Sequence, residues 1–293
     1  MNKKYSVFLG DNPFFGVNHL SQEIARDKSE ISQNFNNILA VINTALDNGV
    51  KDVVFSTHPE LKNLIRFLKN NSNIMEQINI HPILPYAQGY VSKVNENGMM
   101  NTLKDVLGSV GFRKKIQIIA KGGLGVVKNN FYDLFKVLID IEMAKLENSK
   151  IKTVFLHDVV TDLALGLGVK KVLQVFKEHI EKNYKLEVGV VTKNFPLLVS
   201  KMEEWNVNFP TVMTSFNKIG FQMNPSRESC EKSLEKYDGK VIAMSVMAGG
   251  YIGLEESMKY LSSLPKISTL VIGTSSVENA KKTFSTIQNL PQQ

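Results

Sequence analysis

The sequence predicts a closed (β/α)8 barrel occupying residues 1–293 as a single domain. Short β-branched runs alternate from end to end with longer segments of helical spacing, no Gly-, Ser- or Pro-rich linker interrupts them, and most of the runs finish on polar residues. Parallel strands need crossover connections of that length, and in a closed barrel the C-terminal strand ends form the mouth where ligands bind.

The strand candidates are SVFLG (6–10), DVVFST (52–57), INIHPIL (78–84), IQIIAK (116–121), TVFLHD (153–158), EVGVVT (187–192), TVMTSF (211–216), VIAMSV (241–246) and TLVIGT (269–274). That is one more than an eight-stranded ring needs. Between them, Ile38, Val41, Ile42, Ala45 and Leu46 recur at helical offsets over 36–48, and Gly49 stands where a left-handed residue ends a helix. Phe131, Leu134, Phe135, Leu138 and Ile139 mark a second helix, and Val172, Leu173, Val175 and Phe176 a third. Pro196 opens another, with Asn194 as its cap. The rival architecture, an open doubly wound sheet, usually shows Gly-x-Gly-x-x-Gly after the first strand, whereas this chain reads GDNPFFGVNHL there.

Composition narrows the function classes. With 43% hydrophobic and 22% charged residues the chain has a globular core, not a disordered or collagen-like repeat. Its one cysteine, Cys230, cannot close an intramolecular disulfide, so a cytoplasmic location is the default expectation. No apolar run reaches membrane-spanning length, and MNKKYSVFLGDNPF turns polar early, so neither a membrane partner nor a cleaved leader is expected. The net charge of +7 rests on lysines, with only Arg26, Arg66, Arg113 and Arg227 to supply the planar fork suited to nucleic acid. The lysines are interleaved with acids, as on solvated faces, and no nucleic-acid partner is expected.

The polar strand ends supply the candidate chemistry. Gly273, Thr274, Ser275 and Ser276 precede a helix beginning near Val277, and backbone N–H groups at a helix N-terminus attract phosphate. Ala248, Gly249 and Gly250 lie one strand earlier, where barrels complete a phosphate grip. The alternative is that the hydroxyls only cap the last helix. Lys121 and Lys193 follow apolar runs and could act as base or imine-forming amine, or sit on the surface. His58, His81, His157 and Asp158 end different strands, but without an HxH or HExxH spacing they read as hydrogen-bonding groups and no metal is expected. Asp11 and Asn12 either touch substrate or build the turn while Phe14 and Phe15 plug the barrel.

This ordered set of strand ends resembles the aldo-keto reductase superfamily of NAD(P)H-dependent (β/α)8 TIM barrels. ILAVINTALDNGVKDVVFSTH is similar to that family's helix, Gly turn and FDTA strand, IQIIAKGG to its lysine strand, TVFLHD to its histidine strand and VGVVTKNF to its GVSNF strand. TSFNKIG, SVMAGGYIG and VIGTSSVENAKKTF resemble the last three strands with their cofactor loops. The resemblance implies NADPH as cofactor, held by Asn194, Asn217, Ala248 to Gly250, Gly273 to Ser276 and Asn279. It assigns Lys121 and His157 to catalysis, on neighbouring strands, while Asp11, Asn12, His81 and Lys193 are substrate candidates from the strand ends themselves. The family's aspartate falls on Ser56 and its tyrosine on Leu61, neither of which can do that work.

Against the family, the interval from Ser56 to Lys121 carries an inserted strand–helix segment around 74–112. Its Tyr86 or Tyr90, or His58 or His81, could replace the missing acid. Three functions follow: an aldo-keto reductase-like enzyme reducing a small carbonyl or phosphorylated substrate with an altered site; a Schiff-base lyase or isomerase using Lys121 or Lys193 and His157; or a non-catalytic binding protein.

Overall fold

The computed structural model describes residues 5–15, 35–71, 73–86, 131–146 and 148–289. Eight parallel strands hydrogen-bond in chain order: β1 Ser6–Gly10, β2 Asp52–Ser56, β3 Asn79–Leu84, β4 Thr153–Leu156, β5 Glu187–Thr192, β6 Thr211–Ser215, β7 Lys240–Met244 and β8 Ile267–Gly273. The ring closes because β8 pairs with β1, from Ser6↔Thr269 to Gly10↔Gly273. Around it, the helices among the described residues are α1 Phe35–Asp47, α2 Leu61–Asn71, α3 Ile74–Gln77, α4 Phe131–Ala144, α5 Asp158–Gly166, α6 Lys170–Tyr184, α7 Phe195–Trp205, α8 Arg227–Lys236, α9 Leu254–Ser262 and α10 Val277–Asn289. The last helix packs on the first, sealing the outer layer where the strand ring seals the inner one.

The strands are buried on both faces, which is why they read as continuous apolar runs. Phe8, Val54, Phe155, Val191, Met213 and Ile242 fill the barrel interior. Their chain neighbours Leu9, Val53, Val154, Val190, Val212 and Val241 point the other way, into the larger core beneath the helices. Each such side chain contributes about 1.5–3 kcal/mol by leaving water. Gly189 in β5 permits this packing: a Cβ there would lie 2.4 Å from the Phe155 ring and 2.8 Å from the Thr211 carbonyl oxygen.

Several helix ends follow from their residues. Gly49 adopts φ +73° just after α1. Asn194 caps α7 by accepting the Leu197 N–H at 3.2 Å, with proline in the first turn. Among the described residues, no helix is long and apolar enough to cross a membrane.

The surplus ninth run is resolved by hydrogen bonding. β4 pairs with β3 on one edge (Ile83↔Phe155, Leu84↔Leu156) and with β5 on the other (Thr153↔Glu187 to Leu156↔Val190). Both edges of β4 are therefore taken by described strands. The run 79–84, read as part of an insertion, is the third strand of the ring itself. Residues 116–121, Lys121 included, lie outside the described residues, as do Tyr90 and the rest of the 74–112 segment beyond Tyr86.

Candidate active site at the barrel mouth

A cavity of about 530 Å³ opens at the C-terminal strand ends. Its floor is apolar, from Val54, Ile83, Val191, Met213, Met244 and Val271. Its wall carries Asp11, Asn12, Ser56, His58, Tyr86, His157, Asp158 and Lys193 from the ends of β1 to β5, and Gly249, Gly250, Gly273, Thr274, Ser275 and Asn279 from the ends of β7 and β8. A concave apolar site with a few convergent polar groups is the usual form of a small-molecule pocket.

His157 leaves β4 and caps α5, which turns its ring toward the cavity. Nδ1 lies 2.6 Å from Oδ1 of Asp158, whose Oδ2 receives Lys193 Nζ at 3.1 Å. The Val159 N–H also approaches Nδ1, at 3.2 Å. One ring nitrogen cannot serve both, and the shorter contact with a carboxylate is the stronger, so the proton belongs on Nδ1 and Nε2 is left for a ligand. Burial works against charge on Asp158, but hydrogen bonding to His157, reinforced by Lys193, holds its carboxyl well below the usual carboxylate range. One helical turn on, Asp162 accepts the Thr192 hydroxyl and, at 3.0 Å, the Lys193 N–H, tying the end of β5 to α5.

Asp11 follows β1 and is 3% exposed. Its Oδ2 accepts the Ser56 N–H at 2.6 Å, and the Ser56 hydroxyl lies 3.4 Å from Oδ1. Burial pushes its carboxyl up to about 7, against the pull of those Ser56 bonds. A carboxyl group thus stands beside Ser56, the position where the family resemblance lacked one, but it arrives from the neighbouring strand. Leu61, at the tyrosine position, is fully buried at the start of α2.

His58 is held between two rings, stacked on Phe15 at 4.5 Å and edge-on to Tyr86 at 5.1 Å. Its Nδ1 accepts the Glu60 N–H at 3.2 Å, and burial lowers its tendency to take a second proton. Burial, then the nearby Asp11, push the Tyr86 phenol up, the wrong direction for a proton donor.

After β8, Thr274 and Ser275 precede α10, and Asn279, Lys282 and Thr283 present the next turns of that helix to the same cavity. Asn37 of α1 donates to the Ser275 carbonyl at 2.9 Å and steadies the loop. The opposing loop after β7 is built from left-handed residues, Ser245 (φ +52°), Ala248 (+50°), Gly249 (+74°) and Gly250 (+101°). Such backbone costs on the order of 1 kcal/mol per non-glycine residue and tends to gather at ligand sites.

Other expected residues fall elsewhere. His81 stacks on Phe8 at 4.4 Å and bonds Asp52 at 2.9 Å inside the barrel, because β3 continues three residues beyond it and leaves its ring below the mouth. Asn217 is buried and exchanges two hydrogen bonds with the backbone of Phe221, both 2.8 Å, while Asn194 caps its helix; neither lines the cavity. Ala248 is likewise buried beneath its loop, and Ser276 accepts the Asn279 N–H at 3.2 Å as a cap. Conversely, Lys282 and Thr283 escaped the sequence reading although they follow Asn279 by three and four residues, the spacing that shares a helix face. Gln222, Ser245 and Met247 also line the cavity, and no local pattern marks them.

No protein-family model and no curated protein sequence matches the chain. Solved structures do. A Pseudomonas aeruginosa protein described as an aldo-keto reductase superposes with a TM-score of 0.61 at 12% identity, covering 96% of this chain and 89% of that one. An aldo/keto reductase of Brucella melitensis gives 0.51 at 12% identity, covering 95% and 87%. A structure described as a 2,5-diketo-D-gluconic acid reductase B gives 0.54, again at 12% identity, covering 98% and 86%. The chain has the aldo-keto reductase fold. At that identity the likeness concerns the path of the chain, and the chemistry has to be argued from the mouth itself.

Proposed function

We propose that the protein is a nicotinamide-dependent reductase of small carbonyl compounds whose proton donor differs from the tyrosine of the family it resembles. One observation carries this reading: a single cavity joins the helix-N-terminal loop Thr274–Ser275, with Asn279 and Lys282 beside it, to Asp11, His157 and Asp158. That layout fits a phosphorylated dinucleotide. Its phosphates would meet the α10 N-terminus and the Lys282 ammonium, the side-chain-free Gly249 and Gly250 would admit it closely, and its ring would lie over the apolar floor. When bound, NADPH supplies hydride. Asp158 holds the His157 imidazole in the Nδ1-protonated tautomer, so Nε2 accepts from a hydroxyl beside the substrate carbonyl and orients it, and the apolar floor excludes water.

The imine-forming alternative draws no support from Lys193, whose amine is engaged with Asp158 and would have to break that pair before attacking a carbonyl. The substrate is a small molecule, and the location inside the cell is cytoplasmic, in keeping with the unpaired, buried Cys230.

The test is a titration of NADPH emission with the protein, followed by turnover of a panel of aldehydes, ketones and sugar phosphates. Saturable binding with consumption of NADPH supports the reading. Absence of binding overturns it and leaves the imine-forming enzyme and the non-catalytic barrel.

A further inference from the structure

We propose that Asp11 is the proton donor of this site, passing its carboxyl proton to the carbonyl oxygen of the substrate; the proposal rests on the reductase reading above. Three observations converge on it. First, the side chain lines the cavity while being 3% exposed, so it meets a ligand and not bulk water. Second, among the described residues its carboxyl oxygens receive hydrogen bonds from Ser56, at 2.6 Å and 3.4 Å, and from Asp11's own backbone N–H, and no cation pairs with it. These bonds do not offset full burial of a carboxylate, and the proton is retained up to about pH 7. Third, the other groups are ill suited. The Tyr86 phenol is pushed up, His58 is pushed away from its charged form, and the Nδ1 proton of His157 is committed to Asp158.

The hydrogen bonds also locate the proton. Oδ2 accepts the short bond from the Ser56 N–H and is the carbonyl-like oxygen, so the acid proton sits on Oδ1. As the substrate carbon accepts hydride from NADPH, the C=O π pair moves onto its oxygen. That oxygen takes the Oδ1 proton, leaving an alcohol and an Asp11 carboxylate. The carboxylate keeps the Ser56 N–H, a bond that strengthens once the acceptor is ionised. A solvent proton then restores the acid, for a net consumption of one carbonyl, one NADPH and one H⁺. The ionisable groups facing this position are Tyr86 after β3, His58 after β2, His157 and Asp158 at the start of α5, Lys193 after β5 and Lys282 on α10, among the described residues.

The experiment has two arms. Infrared difference titration of the protein without NADPH should show a protonated-carboxyl band that disappears with a midpoint near 7 and is missing from Asp11→Asn. A midpoint near the ordinary 3.8 overturns the proposal. In the second arm, Asp11→Asn keeps an acceptor for the Ser56 N–H and should bind NADPH within twofold of wild type. It should reduce carbonyls about 10²–10⁴-fold more slowly and without the wild-type loss of rate above the midpoint. An active wild type whose rate and pH profile survive Asp11→Asn overturns the donor role alone. A wild type that reduces no carbonyl overturns the reductase reading and the donor role together.

Discussion

Oδ1 of Asp158 lies 2.6 Å from Nδ1 of His157, its immediate neighbour in the chain. Adjacent side chains rarely face each other on a regular element. Here the chain turns from β4 into α5 between them, with His157 as the cap and Asp158 as the first helical residue. The turn itself therefore builds the dyad, and Lys193 from β5 closes it from the far side.

Removing the charge of Asp158 should free the imidazole to exchange tautomers and release Lys193 into the cavity. For Asp158→Asn we expect carbonyl reduction to fall roughly 10²-fold, mainly in kcat, with NADPH binding preserved. Nitrogen NMR of the His157 ring should show the Nδ1-protonated form replaced by a mixture, and an unchanged spectrum would remove Asp158 from the role of orienting it.

Asp11 should make the protein less stable as pH rises. A carboxyl held near 7 in the fold against 3.8 when unfolded means that the native state binds more protons between those values. Stability from this group is highest below the unfolded value, declines through that window and is flat above it. Asp11→Asn should accordingly be more stable than wild type at pH 8, by at most about 4 kcal/mol, and show little gain at pH 4. Urea melts at the two pH values decide it.

The opposite sign holds for Asp52. Burial opposes its ionisation, but hydrogen bonds from His81 and Asn79 outweigh that and lower its carboxyl below the ordinary 3.8. This contribution is present above the unfolded value and is lost as pH falls through the folded one. Asp52→Asn should cost stability at pH 6, and the gap to wild type should shrink as the pH falls below the ordinary 3.8 and Asp52 protonates in the fold. A gap independent of pH would mean that packing, and not charge, holds His81 in the barrel.

Gly189→Ala places a methyl group against the Phe155 ring and the Thr211 carbonyl, neither of which can withdraw from a closed ring. We expect a loss of about 1–3 kcal/mol in urea unfolding. NADPH affinity should stay unaltered, since Gly189 does not line the cavity.

On the cofactor side, Lys282→Ala should weaken NADPH binding about tenfold through one charge-assisted contact, and the deficit should narrow at high salt. Thr274→Ala tests the loop in the same titration. If neither variant changes the affinity, the phosphates do not lie at the start of α10.

The architecture was legible in advance because a barrel buries its strands on both faces and each connecting helix on one, and burial writes itself into the chain as apolar runs and 3.6-residue stripes. The cavity-lining loop after β8 was legible for a related reason, since Thr274 to Asn279 form one local segment whose neighbours in space are its neighbours in sequence. Ring membership was not: that the run 79–84 is a strand of the ring shows only in its pairing with β2 and β4. Nor was the depth of His81, which depends on how far β3 runs past it.

The chain alone thus determined the barrel class, the order of its strand ends, and the lack of an acid at Ser56 and Leu61. Tertiary structure decided that Asp11, 45 residues upstream of Ser56, brings a carboxyl group to that position. A strand end meets its partners across the ring and not along the backbone, so proximity of that kind leaves no periodic trace in the sequence.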